Sequence, residues 1–377
     1  MKIFKTLLLT VFLICTAYLG IRYYVNGSLD FSVFSTYFQD VSSITSTFEE
    51  PIEVSEKELG EGYHYYYSTL SPEEKELYLQ LYVICRDLMD YTAVSINDTT
   101  TINRIMEFML LDNPQLFYIE SWKTQTAVFG SDTRYCVRAV SSMDSSEILV
   151  AQKSIDAYTK ICLSHLNDQM SDYEKALFLY EYIILHTEYV TDAPHNQDLY
   201  SVVMGQSVCK GYTLAYQYLC NKLSIPCISI TGRMEKEHAW NLIQINGEWC
   251  HVDCTSGDDI TTEKDLVDHS WFGINDSMIL RSHQMNDSVR FPACDSLRNN
   301  YYYRNDLYFT SLDYDKIYSL FAKGTCVAFQ FSNEDLYQTF CRVIETENFM
   351  EHLDENRVSH ISYTLNENTF TFIFRCE

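Results

Sequence analysis

The chain has 377 residues, enough for two or three compact units with a sizeable core. Hydrophobic residues make up 46% of it and charged residues 21%, a balance that excludes an intrinsically disordered protein. The net charge of −25 would repel phosphate backbones and argues against general nucleic-acid binding.

The N-terminus has the composition of a membrane segment. Lys2 and Lys5 precede an apolar run over residues 6–21, which Arg22 closes. This pattern predicts a membrane anchor over residues 1–25. A cleaved signal peptide, with Ala17 near its cleavage site, is the alternative. Either segment predicts that the body is extracytoplasmic, membrane-anchored or secreted, and residues 26–60 are polar enough for a tether.

A first α+β domain is predicted over residues 61–168. Ser71 and Glu74 form a capping-box pattern, which predicts a helix over residues 72–92. A second helix is predicted over residues 101–111 and a third over 146–166. Strand-like stretches occupy residues 116–122 and 134–140, where aromatic and β-branched residues are frequent.

A core domain is predicted over residues 169–290, followed by a C-terminal α+β region over 296–377. Ser171 and Glu174 repeat the capping pattern and predict a helix to about residue 186. A further helix begins near Cys209, and Pro226 marks its exit into a strand. Two tyrosine clusters, residues 63–67 and 301–303, are predicted on sheet faces and could alternatively form a glycan platform.

The stretch EHAWNLIQINGEWCHVDCT predicts a β-hairpin. Asn246-Gly247 between two alternating runs favours a two-residue type I′ turn. The resulting register pairs residues across the hairpin: Ile245 with Glu248, Trp240 with Asp253, and His238 with Thr255. Strand alternation then puts His238 and Asp253 on one face within side-chain reach, and the opposite face suits a buried core.

These residues can form a nucleophilic site. An aspartate that holds a histidine fixes its tautomer and stabilises the imidazolium. Cys209 lies where the loop GQSV changes to a helix, and the N-terminal end of a helix stabilises a thiolate. A buried structural cysteine, a structural histidine and a turn-capping aspartate are the alternatives. The Cys209 amide is a candidate oxyanion donor, and Gln206 or Tyr212 could supply a second one.

Two longer stretches, GQSVCKGYTLAYQYLCNKLSIPCISITG and EHAWNLIQINGEWCHVDCT, resemble the transglutaminase-like superfamily. The resemblance covers about residues 170–275 and extends to flanks similar to those of exported bacterial members. It implies a papain-like α+β core, in which a helix-start cysteine packs on an antiparallel sheet. It also implies that Cys209 is the nucleophile, His238 the base and Asp253 the orienting residue. This chain departs from the usual pattern at Lys210, Glu237 and Ser256, so the resemblance does not imply a substrate preference.

The resemblance implies an exported cysteine enzyme that attacks peptide or glutamine amides through a thioester, without a cofactor. Its partners would be proteins or peptides, including cell-wall or surface proteins. The alternative is a non-catalytic cell-surface binding or scaffold module that retains the fold. A zinc site is disfavoured because the thirteen cysteines include no C-x-x-C pair. Its candidate ligands would be Cys209, His238, His251, Cys250 and Cys254. On the predicted register His251 shares the hairpin face of His238, whereas Cys250 and Cys254 point the other way.

Overall fold

The computed structural model describes residues 50–129, 132–258, 267–322, 326–346, 349, 353 and 361–376. The predicted anchor over residues 1–25 and most of the tether lie outside these residues. Among the residues described, no helix is both long and apolar enough to cross a lipid bilayer. The anchor, the export of the body and the domain boundaries remain predictions.

Helices and strands alternate along the chain in an α+β fold, as predicted. The helices are α1 (Tyr65–Thr69), α2 (Pro72–Arg86), α3 (Thr99–Asp112), α4 (Ser145–Leu163), α5 (Asp172–His186), α6 (Leu199–Val203), α7 (Cys209–Lys222), α8 (Cys254–Asp258), α9 (Asp276–Ile279), α10 (Tyr301–Arg304), α11 (Tyr314–Phe321) and α12 (Glu334–Ile344). The strands are β1 (Thr92–Ala93), β2 (Ile119–Phe129), β3 (Asp132–Ser141), β4 (Glu188–Tyr189), β5 (Gln206–Ser207), β6 (Cys227–Arg233), β7 (Glu237–Ile245), β8 (Glu248–Val252), β9 (Phe272–Ile274), β10 (Gln284–Met285), β11 (Tyr308–Phe309), β12 (Cys326–Phe331), β13 (Ile361–Asn366) and β14 (Thr371–Cys376).

The sheet that carries the site has five strands in the order β10-β6-β7-β8-β9, with every neighbouring pair antiparallel. Helix α7 packs on this sheet, where the Asn241 side chain of β7 donates to the carbonyl of Thr213 at 3.1 Å. One buried apolar cluster runs from Tyr66 to Cys294 and encloses this sheet. A second cluster, from Phe309 to Cys376, fills the C-terminal region.

The helix starts predicted from the sequence agree with the structure better than the predicted helix ends do. The capping boxes at Ser71 and Ser171 are both present, and they begin α2 and α5 as predicted. Helix α2 ends at Arg86, so the predicted extension to residue 92 is wrong. The chain turns at Leu88, with φ of 48°, and Thr92 pairs with Val137 of β3. That pairing is a long-range contact, which the periodicity of the helix could not indicate.

The tyrosines of both clusters lie on short helices, except Tyr63, which precedes α1, so their prediction as sheet-face residues is wrong. Tyr66 of α1 and Tyr302 of α10 are both buried. The Tyr66 hydroxyl donates to the carbonyl of Ser229 on β6 at 2.7 Å. Contacts with the core therefore decide the conformation of these segments. These contacts override the strand preference of tyrosine.

The hairpin has the predicted turn, since Asn246 and Gly247 both have positive φ angles, of 54° and 80°. Its predicted register is confirmed from Ile245–Glu248 to Asn241–Val252. Pairing stops there because Asp253 caps helix α8, which begins at Cys254. The predicted pairs of Trp240 with Asp253 and of His238 with Thr255 are therefore wrong.

The two faces of the hairpin are less different than predicted. Trp240, Leu242 and His251, on the face of His238, are as fully buried as Ile243 and Cys250 on the other face. Strand β7 lies in the middle of the five-stranded sheet, between β6 and β8. Side chains on both faces of β7 are buried from Ala239 to Ile243, whereas Glu237 is exposed and His238 and Gln244 are partly exposed.

Candidate active site

Cys209 is the first residue of α7 and is half-buried. The loop before it is held by the parallel pair β4–β5 and by the Val208 amide, which donates to the carbonyl of Asn196 at 2.9 Å. Val208, the N-cap residue, has an apolar side chain that cannot accept hydrogen bonds from the first turn. The Cys209 sulfur therefore lies at the positive end of the helix, close to amide groups that the N-cap side chain does not occupy.

Gly211 allows the preceding loop to approach α7 closely. A Cβ atom at this position would overlap the hydroxyl oxygens of Ser207 and Ser201 and would lie 2.9 Å from the carbonyl oxygen of Asp198. The two hydroxyls also bond to each other at 2.6 Å. The glycine two residues after the cysteine is therefore required for the position of the loop.

We expect Gly211→Ala to lower the free energy of unfolding by about 1–3 kcal/mol, because the loop must move to admit the methyl group. Urea denaturation and the alkylation rate of Cys209 would measure the change. Gly60→Ala is the matched control, since its Cβ would meet the Tyr82 hydroxyl at an ordinary 3.6 Å. Equal stability and equal alkylation rates in the two variants would contradict the role given to Gly211.

His238 lies at the start of β7, with 9% of its side chain exposed. Its Nε2 hydrogen-bonds to Oδ2 of Asp253 at 2.8 Å. Cys209 lies close enough to the ring to raise its pKa. Because Asp253 occupies Nε2, Nδ1 is the nitrogen available to the sulfur. The structure therefore brings the three predicted residues together in the order Cys209, His238, Asp253.

The electrostatics of His238 favour its charged form. Burial, the largest single influence, lowers the pKa of the imidazole. The charge and hydrogen bond of Asp253, together with Cys209, outweigh burial and raise the pKa to about 10. This environment therefore favours the imidazolium at neutral pH, a form that can stabilise a thiolate on Cys209 and can donate a proton.

Asp253 is almost fully buried and has two structural roles. Its Oδ1 accepts from the amides of Thr255 and Ser256 at 3.0 and 3.1 Å, and so caps α8. Its Oδ2 accepts from His238, from the Ser256 hydroxyl at 2.6 Å and from Nε2 of His283 at 3.0 Å. Burial raises its pKa, but the two histidines outweigh burial and hold the pKa well below the usual range.

Trp240 fixes the other side of the His238 ring. The two rings stack with centroids 5.9 Å apart and planes 18° apart. The indole N–H of Trp240 donates to Nδ1 of His251 at 3.0 Å, and Nε2 of His251 bonds to Asp276 at 2.8 Å. Because an indole only donates, Nδ1 of His251 is unprotonated, and burial lowers the pKa of this ring. The network holds Trp240 in one orientation against His238.

Three other residues singled out in the sequence, Tyr212, Gln206 and Glu237, have different surroundings. The Tyr212 hydroxyl is buried and donates to Asp258 at 2.6 Å, which makes it unsuitable as an oxyanion donor. Gln206 is exposed on β5. Glu237 is exposed and pairs across the sheet with Arg233.

The predicted division of the metal-ligand candidates is confirmed for Cys250 and His251, but Cys254 begins helix α8 and does not lie on the hairpin. The Cys250 thiol donates to the carbonyl of Ile243 on its own hairpin at 3.7 Å, whereas His251 faces Trp240 and Asp276. Two groups among the described residues have ligand-type atoms within 4.8 Å of one another: His238, Asp253 and His283; and His251, Asp276 and Cys294. In each group the histidine nitrogens that face the aspartate are already hydrogen-bonded to it.

Sequence reasoning missed His283 and Ser256. His283 lies 30 residues after Asp253, just before β10, and no local pattern connects it to the site. Ser256 was noted only as a departure from the family's usual sequence. Its hydroxyl follows Asp253 at the spacing of a helix cap, a signal that could have indicated its contact with the carboxylate.

The fold and the site define an α+β protein with a helix-start cysteine beside a histidine–aspartate pair on an antiparallel sheet. Residues 161–254 match the family model of the transglutaminase-like superfamily, and this segment contains Cys209, His238 and Asp253. The segment that holds the three residues is therefore similar to the transglutaminase-like superfamily.

Individual relatives are distant. Over 204 residues the chain is 23% identical to kyphoscoliosis peptidase of Mus musculus, an alignment that covers 48% of this chain and 30% of that protein. Among solved structures, a TGase aligns with a TM-score of 0.27 and 15% identity, over 37% of this chain and 45% of the other. A cysteine-protease-like protein of Cytophaga hutchinsonii aligns with a TM-score of 0.25 and 17% identity, over 36% and 65%. The chain thus spans less than two thirds of each of these relatives.

Proposed function

We propose that this protein is a cysteine-dependent acyl-transfer enzyme that attacks peptide or glutamine amide carbonyls through a thioester on Cys209. The observation that carries the proposal is the position of His238, which interacts with Cys209 and with the buried carboxylate of Asp253. A thiolate, an imidazolium and an orienting carboxylate in this order are the groups that acyl transfer requires.

Acylation begins when the Cys209 thiolate attacks the amide carbon. A carbon–sulfur bond forms, and the carbonyl electron pair moves to the oxygen. The Cys209 amide, at the uncapped start of α7, is the donor that we propose for this oxyanion. The carbon–nitrogen bond then breaks, while the imidazolium of His238 transfers its proton to the leaving nitrogen. The amine departs, and the acyl group remains on sulfur as a thioester.

Deacylation reverses these roles. His238, now neutral, takes a proton from the attacking water or amine, whose oxygen or nitrogen bonds to the thioester carbon. The carbon–sulfur bond breaks, which restores the thiolate and the imidazolium. Water gives hydrolysis, and a primary amine gives a new amide. The same three side chains serve both outcomes, so the group that reaches the thioester decides between them.

An exposed aromatic side chain borders the site and suits a protein or peptide substrate. This side chain is Tyr189 of β4, which is 48% exposed. Burial, and then the charge of Cys209, raise the pKa of the Tyr189 hydroxyl, which places this side chain close to the sulfur. With the anchor predicted over residues 1–25, we propose substrates among proteins or peptides at the cell surface.

We expect iodoacetamide to alkylate Cys209 faster than any other cysteine at neutral pH, because His238 stabilises its thiolate. Cys326 is the internal control, since it is more exposed but burial raises the pKa of its thiol. Digestion and mass spectrometry after short exposures would give both rates. His238→Ala should remove the difference. If Cys326 reacted as fast as Cys209 in the unmodified protein, the proposed function would be wrong.

A further inference from the structure

A second histidine contacts the carboxylate of the proposed site. Nε2 of His283 lies 3.0 Å from Oδ2 of Asp253, the same oxygen that Nε2 of His238 contacts at 2.8 Å. The His283 side chain is fully buried. Its ring packs edge-on against Trp240, with centroids 4.9 Å apart, and also against Trp271 at 5.4 Å. His283 therefore lies within the proposed site, although the steps described above do not use it.

The orientation of the His283 ring is defined by a partner on each nitrogen. Nδ1 lies 2.8 Å from the hydroxyl of Ser282, which can donate a hydrogen bond to it. That arrangement leaves the hydrogen on Nε2, where it points at Asp253. The backbone of His283 is also fixed, because its amide donates to the carbonyl of Ile279 at 2.9 Å.

Oδ2 of Asp253 is consequently shared among three donors: His238, His283 and the Ser256 hydroxyl. A carboxylate oxygen has two lone pairs, so these donors compete for its electron density. Each additional hydrogen bond stabilises the negative charge and makes the oxygen a weaker acceptor for the others. A carboxylate bound by His238 alone would hold the imidazolium proton more strongly.

We propose that His283 is a positioning residue of the acyl-transfer site, which fixes Asp253 and weakens its hold on the proton of His238. This inference rests on the proposed function, because a general acid must release its proton to the leaving amine. An imidazolium paired too strongly would stabilise the thiolate but would donate poorly. His283 adjusts the balance between these two requirements.

Several titratable groups face the two imidazoles. Cys209 of α7 and Asp253 act on His238 directly. His251 of β8 interacts electrostatically with both His283 and Asp253, and Asp276 of α9 bonds to His251. A test must therefore report the proton of His238 itself. Iodoacetate does so, because an anionic reagent is attracted to Cys209 only while the neighbouring imidazole is charged, whereas iodoacetamide is neutral.

The test compares the alkylation rates of Cys209 with iodoacetate and iodoacetamide across pH. The quantity of interest is the rate with iodoacetate divided by the rate with iodoacetamide. In the unmodified protein this ratio should fall as His238 loses its proton, with a midpoint near pH 10. His283→Phe keeps an aromatic ring against Trp240 and Trp271 but removes the donor. We expect it to move this midpoint upward by about 0.5–1 pH unit, the effect of one hydrogen bond. Turnover at pH 7 should fall by about tenfold.

Two further variants distinguish positioning from a purely structural role. His283→Gln, whose side-chain amide can donate to Asp253, should return the midpoint toward its original value. Ser282→Ala removes the partner of Nδ1 and should shift the midpoint in the same direction as the phenylalanine variant, but by less. An unmoved midpoint in folded His283→Phe, or in Ser282→Ala if the former does not fold, would overturn the inference.

The outcomes for the two proposals are separate. The ratio is measured without any substrate, so it tests His283 whether or not turnover is detected. A shifted midpoint in a protein without acyl-transfer activity would support the contact of His283 with Asp253. It would contradict a catalytic purpose for that contact. The inference would then fail together with the proposed function. A normal midpoint in an active enzyme would overturn the role of His283 alone.

Discussion

Cys209→Ala is expected to lower the turnover of an acyl-donor peptide on the order of 10⁶-fold, the scale of losing a catalytic nucleophile. The sulfur forms the covalent bond to the acyl group, and neither His238 nor Asp253 can replace it. The substrate would be a glutamine-containing peptide, incubated with and without a primary amine and analysed by mass spectrometry. The product would also show whether water or the amine resolves the thioester.

The control for this substitution is Cys326→Ala, which removes an exposed cysteine from β12 in the C-terminal region. It should retain full turnover. Both variants should unfold at the temperature of the unmodified protein, because neither side chain fills the buried core. Measurable activity of Cys209→Ala at a rate comparable with the control would rule out the thioester mechanism.

Asp253→Asn is expected to lower turnover by about 10⁴-fold, as the loss of an orienting carboxylate does in a catalytic triad. The asparagine oxygen can still accept a hydrogen bond, but its NH₂ group cannot accept one from the neighbouring donors. Oδ1 and Oδ2 of Asp253 together accept five hydrogen bonds. One or more donors would therefore lose a partner, and the His238 ring would lose its anionic neighbour.

The same variant should change the pH dependence in a defined direction. Without the charge of Asp253, burial becomes the dominant influence and lowers the pKa of His238 from about 10. The decline of turnover on the alkaline side should therefore begin at a lower pH. The raised pKa also stabilises the folded state, a contribution that is complete below about pH 6.5 and is lost as the pH rises toward 10. Asp253→Asn should lack this alkaline loss of stability.

Asp268→Asn provides a matched control, since Asp268 is also a buried carboxylate that caps a short helical segment, through the amide of Ser270 at 2.8 Å. It should keep the pH profile and most of the turnover. Thermal unfolding across pH, together with the rate profile, would compare the two variants. Asp253→Asn could instead keep the turnover of the unmodified protein and the pH at which turnover declines on the alkaline side. In that case Asp253 would not orient His238.

Local signals in the sequence predicted much of what surrounds the site. The capping pairs at Ser71 and Ser171 indicated two helix starts, because the cap residues bond within one turn. Asn246-Gly247 indicated the turn, and alternation from that turn determined the register to Asn241–Val252. These features depend on neighbours in the chain or on a two-residue loop, so the sequence contains the information.

Features that depend on packing between distant segments were mispredicted or missed. The end of α2 at Arg86 depends on pairing between β1 and β3. The helices at the tyrosine clusters depend on contacts such as that of Tyr66 with Ser229. His283 reaches Asp253 because the chain returns along β9 and α9 to the edge of the sheet. Each of these three features requires contact between two segments that are distant in the chain. No local periodicity in the sequence connects such segments.

The sequence by itself determined the turn, the register and the identity of the three residues proposed for catalysis. It left open whether Asp253 caps a helix or orients His238, since a carboxylate suits either role. Only the tertiary structure shows that one carboxylate oxygen caps α8 while the other is hydrogen-bonded to His238, because helix α8 begins where the hairpin ends. Three-dimensional packing also decided that His283 shares the second oxygen, since a buried carboxylate is stabilised by whichever donors the surrounding elements bring to it.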